Sequence, residues 1–413
     1  MNRYSDKIVD ITFDGFMSSK MLQAAAKWEQ GEENRELEDA VIKINSLESE
    51  EMDASSLVDY LVETIQLERP AYDRNSIVNI VTCLFQGLLT VFAGAPGCGK
   101  TSICNIIAKT LGLNMFKEKI EENVAIDDVN RYIPVSVERG WTSKRDFIGY
   151  FNPLTKAFEE SNREVFDGLR LLNVEAHKGI NKFPYVILLD EANLSPMEYY
   201  WADFMNVCDD LEKNNHINLG NNNVFTVPET LHFVATINND HTTETLSPRL
   251  IDRAWIITLP KNGTTIYGSE IPDELVKIVS WEKIKEVFVA PREKNILFDS
   301  EIQKIYEGVK GLLKSVDLSI SPRVDIAIRK YWYVASKLME EDEYTNGANI
   351  IALDYAVSQK ILPKIAGSGD EYADWLEELK SFCFENNLLR SADILSEIIE
   401  RGNRQMKYFQ FFY

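Results

Sequence analysis

The chain reads as an α/β protein: a three-layer αβα sandwich on a parallel sheet, followed by a helical region and preceded by a short helical segment. Two patterns predict this. Four short apolar runs, Leu88–Ala93, Val186–Leu189, His232–Ile237 and Trp255–Leu259, are separated by long stretches with helical spacing. Continuous apolar runs of this length suit strands buried on both faces, which is the condition of a parallel sheet. Beyond residue 272 the strand pattern ends and helical periodicity takes over in Leu275–Val287, Ser300–Leu313, Val324–Leu338 and Ala392–Arg404.

Three parts follow in chain order. Residues 1–55 form an acidic segment in which Leu37, Val41 and Ile44 recur at helical spacing. Residues 56–262 hold the predicted sheet, with an insertion at about 141–165 and a hairpin at about 211–230. Residues 263–413 are helical, after a Gly- and Pro-containing junction, Asn262–Pro272. A length of 413 residues suits two or three domains.

Composition narrows the class. Apolar residues make up 45% and charged ones 26%, an ordinary globular balance. A net charge of −21 argues against a uniformly basic nucleic-acid binder, though not against a local basic surface. The five cysteines (Cys83, Cys98, Cys104, Cys208, Cys383) are odd in number and lack a CxxC pair, so neither a disulfide framework nor a zinc site is expected. A reducing, cytoplasmic setting fits them. The four histidines show no metal-ligand spacing. Met1–Asp10 lacks a basic stretch before an apolar core, so no signal peptide is read. Ile77–Ala95 is apolar enough to resemble a membrane span, but Asn79, Gln86 and Gly87 interrupt it. A buried helix followed by a buried strand is the expectation, with no membrane association.

The first chemical motif opens where the first strand ends. Gly94, Ala95, Pro96, Gly97, Cys98, Gly99, Lys100 and Thr101 match GxxxxGK[ST], and a helical run beginning at Ser102 follows. Strand, loop and helix in that order form a phosphate cradle. The glycines let backbone N–H groups turn inward, and the helix N-terminus adds positive potential. Lys100 can reach β and γ phosphates, and the Thr101 hydroxyl can sit on Mg²⁺.

The run Tyr185–Leu189 delivers Asp190 and Glu191 at the carboxyl edge of the same sheet. Asp190 is suited to hold Mg²⁺ and Glu191 to orient and deprotonate an attacking water. His232–Ile237 ends at Asn238, which can bond that water or the γ-phosphate. Leu246–Arg253 then supplies Arg249 and Arg253, either of which can stabilise the transferred phosphoryl group from a neighbouring subunit. Arg323 lies in the first turn of a helix begun by Ser321 and Pro322, an unfavourable place for a cation unless a phosphate lies near.

These residues, in this order, resemble the AAA+ ATPases over about residues 60–370. Gly94–Thr101 looks like Walker A, Tyr185–Glu191 like Walker B, Asn238 like sensor 1 and Arg323 like sensor 2. Ser247–Arg253 is similar to the pattern that ends in the arginine finger, and Arg253 aligns with it better than Arg249. Within AAA+ the likeness is to the dynein/midasin-related, MoxR- and McrB-like branch, carried by Asp146–Pro153, by Asp190–Leu194 and by the Asn221–Ile237 stretch before Asn238. The segment Ile237–Glu244 departs from the McrB GTPase signature, which leaves ATP as the expected nucleotide and GTP as the alternative. The resemblance implies a homo-oligomeric, hexameric ring that binds ATP and Mg²⁺ through Gly94–Ser102 and Asp190. It also implies catalysis by Glu191, Asn238, Arg253 and Arg323, and insertions facing the pore. It suggests a McrB-like subunit acting on DNA with a separate nuclease partner in restriction or defence. A MoxR-like protein-remodelling chaperone is the alternative.

Three features stand beside the resemblance. Lys144, Arg145 and Lys213 are expected to lie on solvated loops, with contact to a substrate in the pore, as the resemblance suggests, as the alternative. Tyr199-Tyr200-Trp201 is expected to pack in the core. The aromatic run Tyr408–Tyr413 is expected to pack on the helical region, with partner docking as the alternative.

Overall fold

The computed structural model describes residues 35–120, 129–155, 157–209, 215–220, 224–239, 243–259, 268–292, 296–341 and 347–412. Lys213, Asn221–Asn223, the stretch from Asp240 to Thr242, Tyr413, most of the acidic segment before residue 35 and residues 260–267 of the junction lie outside them. The strands are β1 (Leu89–Gly94), β2 (Tyr132–Ser136), β3 (Gly149–Asn152), β4 (Ala157–Glu160), β5 (Tyr185–Asp190), β6 (His216–Asn218), β7 (Val224–Thr226), β8 (Leu231–Asn238), β9 (Trp255–Thr258), β10 (Ala366–Ser368) and β11 (Tyr408–Gln410).

Five of them form one parallel sheet in the order β2-β5-β8-β1-β9. The four apolar runs became β1, β5, β8 and β9. The fifth strand, β2, escaped the sequence pattern because it contains Pro134 and alternates in burial. It is an edge strand, where a missing N–H is tolerated. β8 lies between β1 and β5, with Gly94 level with Asn238 and Leu189 level with Ala235. The ends of the phosphate-loop strand, the acid-bearing strand and the Asn238 strand are therefore neighbours.

Helices cover both faces. On one, Phe92, Val186 and Val234 meet Ile80 and Leu84 of the Arg74–Gln86 helix and Ile107 of the Lys100–Thr110 helix. The membrane-like stretch is thus a buried helix running into β1, and among the described residues no helix is long and apolar enough to cross a membrane. On the other face Phe233 packs against Trp201 at 5.3 Å and Phe204 at 4.6 Å. Tyr200 and Trp201 are fully buried, as expected, while Tyr199 is exposed.

The two insertions are β-hairpins. β3 pairs with β4 and β6 with β7, both antiparallel. Both lean on the Arg163–Lys178 helix, where Phe166 stacks on Phe158 at 4.3 Å and meets Phe225 at 5.9 Å.

In the helical region, Leu275–Val287 is divided. A single turn, Asp273–Leu275, is followed by extended backbone, and the helix proper is Trp281–Phe288, capped by Ser280. Helices Ser300–Lys314, Pro322–Leu338 and Leu389–Arg404 match the periodicity. The region is not wholly helical, because β10 and β11 pair within it. Helices Pro322–Leu338 and Ala348–Lys360 pack on the Arg74–Gln86 helix and on edge strand β9. Tyr331 lies 4.8 Å from the Trp255 ring, and Asn79 accepts bonds from Tyr331 (2.5 Å) and Gln359 (2.9 Å).

Lys360 is buried at this junction, its ammonium 5.0 Å over Trp255 and 3.4 Å from the Asp252 carbonyl. Burial lowers its pKa to about 7, against the opposing pull of Asp252 and Cys208; Lys364 lowers it further. The unfolded chain keeps that proton up to about 10.5, so the lysine makes stability rise with pH between about 7 and 10.5. Lys360→Met should therefore stabilise the fold, by about 1–3 kcal/mol at pH 6 and by less at pH 9. Chemical denaturation at the two pH values measures the difference.

Candidate active site

The Gly94–Thr101 loop leaves β1 and enters the Lys100–Thr110 helix. Gly97 (φ 79°) and Gly99 (φ 91°) take left-handed backbone that side-chain-bearing residues avoid. Gly94 is needed for space: a Cβ there would sit 2.7 Å from the Cys98 sulfur and 3.3 Å from the Leu259 carbonyl. The helix begins without a side-chain cap, which leaves its first N–H groups for an anion. The Lys100 ammonium bends back over the loop and donates to the carbonyls of Gly94 (3.0 Å) and Ala95 (2.8 Å).

Asp190 ties three strand ends together. Its Oδ1 accepts from the Thr101 hydroxyl at 2.7 Å and from the Thr236 hydroxyl at 2.6 Å. The Thr236 oxygen accepts in turn from the Glu191 N–H at 2.9 Å. Glu191 has φ 55° and ψ 42°, left-handed backbone on a non-glycine residue, a conformation costing of order 1–3 kcal/mol. The bend leaves its carboxylate exposed and within 3.3 Å of the Asn238 amide, which donates to it. Asn193 fixes Asn238 from behind, accepting from its N–H (3.1 Å) and donating to its carbonyl (2.8 Å).

Lys100, Thr101, Asp190, Glu191 and Asn238 thus converge at the carboxyl edge of the sheet. Thr101 Oγ1 and Asp190 Oδ1 are adjacent hard oxygen donors, the set that suits Mg²⁺. Among the described residues no group of three or more His, Cys, Asp or Glu side chains could hold a metal by themselves. Further ligands are left to phosphate oxygens and water, which is how Mg²⁺ is commonly bound.

Sequence reasoning missed four contributors. Thr236 was legible, since two residues before Asn238 on a strand puts it on the same face. Asn193 could be read only as part of a local motif. Arg69 and Tyr72 gave no signal, because they precede the first strand. Arg69 donates to the Ser102 hydroxyl in the first turn of the phosphate helix. Tyr72 is part-buried close to Cys98 and Cys104, and burial raises its phenol to about 12.

The arginines lie elsewhere. Trp255, the first residue of β9, is level with Thr90, four strand positions and on the order of 13 Å before the level of Gly94, and Arg253 ends the helix that leads into it. Its guanidinium is almost fully buried and donates to the carbonyls of Met205 (3.1 Å) and Arg249 (2.8 Å) and to Asp209 (2.8 Å). Arg323 pairs with the same Asp209 at 3.0 Å and with Asp252 at 3.3 Å. These two carboxylates answer the unfavourable dipole in the first turn of its helix. Burial works to raise the Asp252 pKa, but Lys364, Ser321 and Arg323 outweigh it and hold the carboxyl below its usual range. Arg249, one turn earlier, is exposed, and its side chain makes no ion pair among the described residues.

With this geometry in view, residues 90–258 match the model of the ATPase family associated with various cellular activities (AAA). The match supports an ATP-binding AAA ATPase domain over those residues. Residues 277–408 match a domain of unknown function (DUF8727). No curated protein matches the chain significantly in sequence. Among solved structures, the full-length MCM homolog from Methanopyrus kandleri is similar at 12% identity and a TM-score of 0.40, over 84% of this chain and 62% of that one. The chain therefore spans less than two thirds of that protein's length.

Within the AAA+ domain, Thr236 is the test of the strand-end network. Thr236→Val removes both its bond to Asp190 and the acceptor for Glu191, and should weaken Mg²⁺-dependent nucleotide binding about tenfold. Calorimetric titration with and without Mg²⁺ checks this, and Mg²⁺-independent binding should change little.

Proposed function

We propose that this protein is an ATP hydrolase acting as a homo-oligomeric ring, with each nucleotide shared between two protomers. One observation carries the reading. Arg253 and Arg323 stand together at the end of the sheet opposite their own phosphate loop, so the nucleotide within their reach is a neighbour's. Among the described residues the two arginines and Lys364 share the carboxylates of Asp209 and Asp252, which leaves an excess of positive charge suited to an incoming polyphosphate. GTP is the alternative nucleotide, and a hexamer the expected ring.

In this reading residues 56–262 are the nucleotide-binding unit and residues 263–413 a helical unit beside β9. The backbone of Gly94–Ser102 and the Lys100 ammonium hold the phosphates. Thr101 and Asp190 would hold Mg²⁺, which would supply positive charge to the phosphates. Glu191 accepts the proton of the attacking water, and Asn238 holds both water and carboxylate in place. Arg253 releases Asp209 and turns to the neighbour's γ-phosphate, while Arg323 keeps the acid partnered. Arg69 steadies the first turn of the phosphate helix through the Ser102 hydroxyl.

The work driven by hydrolysis is read as McrB-like action on DNA with a separate nuclease subunit. One observation favours the alternative, a MoxR-like protein-remodelling ATPase. At the hairpins Lys144 is bound to Asp203 and the Asn218 carbonyl, and Arg145 lies 3.6 Å over the Tyr150 ring, while Leu154 at the turn is 91% exposed. Paired cations and an apolar tip suit a polypeptide better than a phosphate backbone. Hydrolysis stimulated by duplex DNA supports the first reading; hydrolysis indifferent to DNA and raised by an unfolded polypeptide supports the second.

Lys100→Ala should abolish nucleotide binding by calorimetry. Glu191→Gln should bind normally and hydrolyse at least about a hundredfold more slowly.

Arg253→Ala should lose about a thousandfold in kcat with affinity kept. Mixing it with Glu191→Gln subunits should restore activity, since each supplies what the other lacks. If Arg249→Ala behaves this way and Arg253→Ala does not, the finger is Arg249.

A further inference from the structure

The aromatic segment Tyr408–Phe412 takes no part in the reading above, yet it ends beside the active site. Its path is set by strain and by bonds. After the Leu389–Arg404 helix, Met406 (φ 53°) and Lys407 (φ 62°) both take left-handed backbone and reverse the chain. β11 then pairs with β10, and Phe409 is fully buried against Gly402. Arg401 donates to the carbonyls of Gln410 and Phe411, and the Phe411 N–H donates to Ile365 at 3.0 Å. The segment is held on both sides up to its last described residue, Phe412.

The Phe412 ring packs edge-on against Phe411 at 4.9 Å and lines one cavity with Asn193, Asn238, Asn239, Thr243 and Leu246. Thr243–Leu246 is the described end of the loop that leads from Asn238 to the helix of Arg249 and Arg253. It is tied to Asn193, whose carbonyl accepts from the Glu244 N–H at 2.9 Å and whose amide donates to the Glu244 carbonyl at 3.1 Å. Thr243 donates to the Asn238 carbonyl at 3.0 Å. Asn193 thus holds Glu244 by two bonds, and the Phe412 ring closes the cavity that both of them line.

We infer that Phe412 is a positioning residue for hydrolysis, acting through this loop on Asn238 and so on Glu191. The inference rests on the function proposed above. Neither the phosphate loop nor Asp190 lines this cavity, so loss of the ring should leave nucleotide binding alone and slow the chemical step. Small displacements of a positioned group are costly to a rate, so removing the ring should lower kcat on the order of tenfold. An apolar side chain that refills the space should recover most of it.

The experiment compares Phe412→Ala and Phe412→Leu in the full chain. It reads ADP affinity, kcat for ATP, the melting midpoint and amide hydrogen exchange. In Phe412→Ala, exchange at Glu244 should accelerate while exchange at Ile103 in the phosphate helix stays as in the wild type. ADP affinity should be unchanged and kcat reduced, with Phe412→Leu close to wild type in all four. Unchanged exchange at Glu244 in Phe412→Ala overturns the inference. So does a joint fall of affinity, midpoint and kcat that Phe412→Leu does not repair, because that describes a merely structural residue. A wild-type protein that binds no nucleotide would overturn the proposed function instead, and the exchange comparison still decides this one.

Discussion

The carboxylate of Asp190 is the point on which the candidate site depends. One of its oxygens accepts hydroxyl bonds from Thr101, at the start of the phosphate helix, and from Thr236, inside β8. The three groups belong to three strand units that share no local sequence. They meet because β8 is inserted between β1 and β5 and because parallel strands end at one edge. A slip of one residue in any of these strands would turn its side chain to the other face and dismantle the cluster. The burial of β1, β5 and β8 on both sides is what forbids the slip.

The same edge carries the strain. Glu191 is bent into left-handed backbone, held by its N–H bond to Thr236 and by the local turn. That conformation is unfavourable for a glutamate by itself and persists because the surroundings over-determine it. Its consequence is an exposed carboxylate beside the Asn238 amide, separated from the Asp190 carboxylate that precedes it. Two neighbouring acids in sequence thereby acquire different environments, one tied into the strand-end network and one open to solvent.

At the other end of the strands the organisation is electrostatic. Asp209 and Asp252 gather Arg253, Arg323 and Lys364 into one cluster, with the buried Lys360 against the Asp252 carbonyl. The exposed salt bridges elsewhere on the surface contribute little each. This cluster differs because it joins the sheet to the helical region and ties Arg253 and Arg323 to one aspartate. The chain after Asn238 leads from the acids to this cluster, and Phe412 lines the cavity beside Asn238 and Leu246.

Local sequence determined a good deal of this protein. Apolar runs marked four of the five sheet strands, glycine spacing marked the phosphate loop, and helical periodicity marked most of the later helices. These signals are local because they arise from backbone sterics and from the period of a strand or helix. The edge strand β2, the contributions of Arg69, Thr236 and Phe412, and the pairing of Arg253 and Arg323 with one aspartate were not legible in the same way. Each depends on contacts between residues far apart in the chain, and propensity and spacing carry no record of those. Tertiary structure alone decided which strand ends became neighbours, which arginines were placed beyond reach of their own phosphate loop, and where the aromatic segment came to rest. The reason is that strand order and packing, and not the motifs themselves, set distances across the sheet.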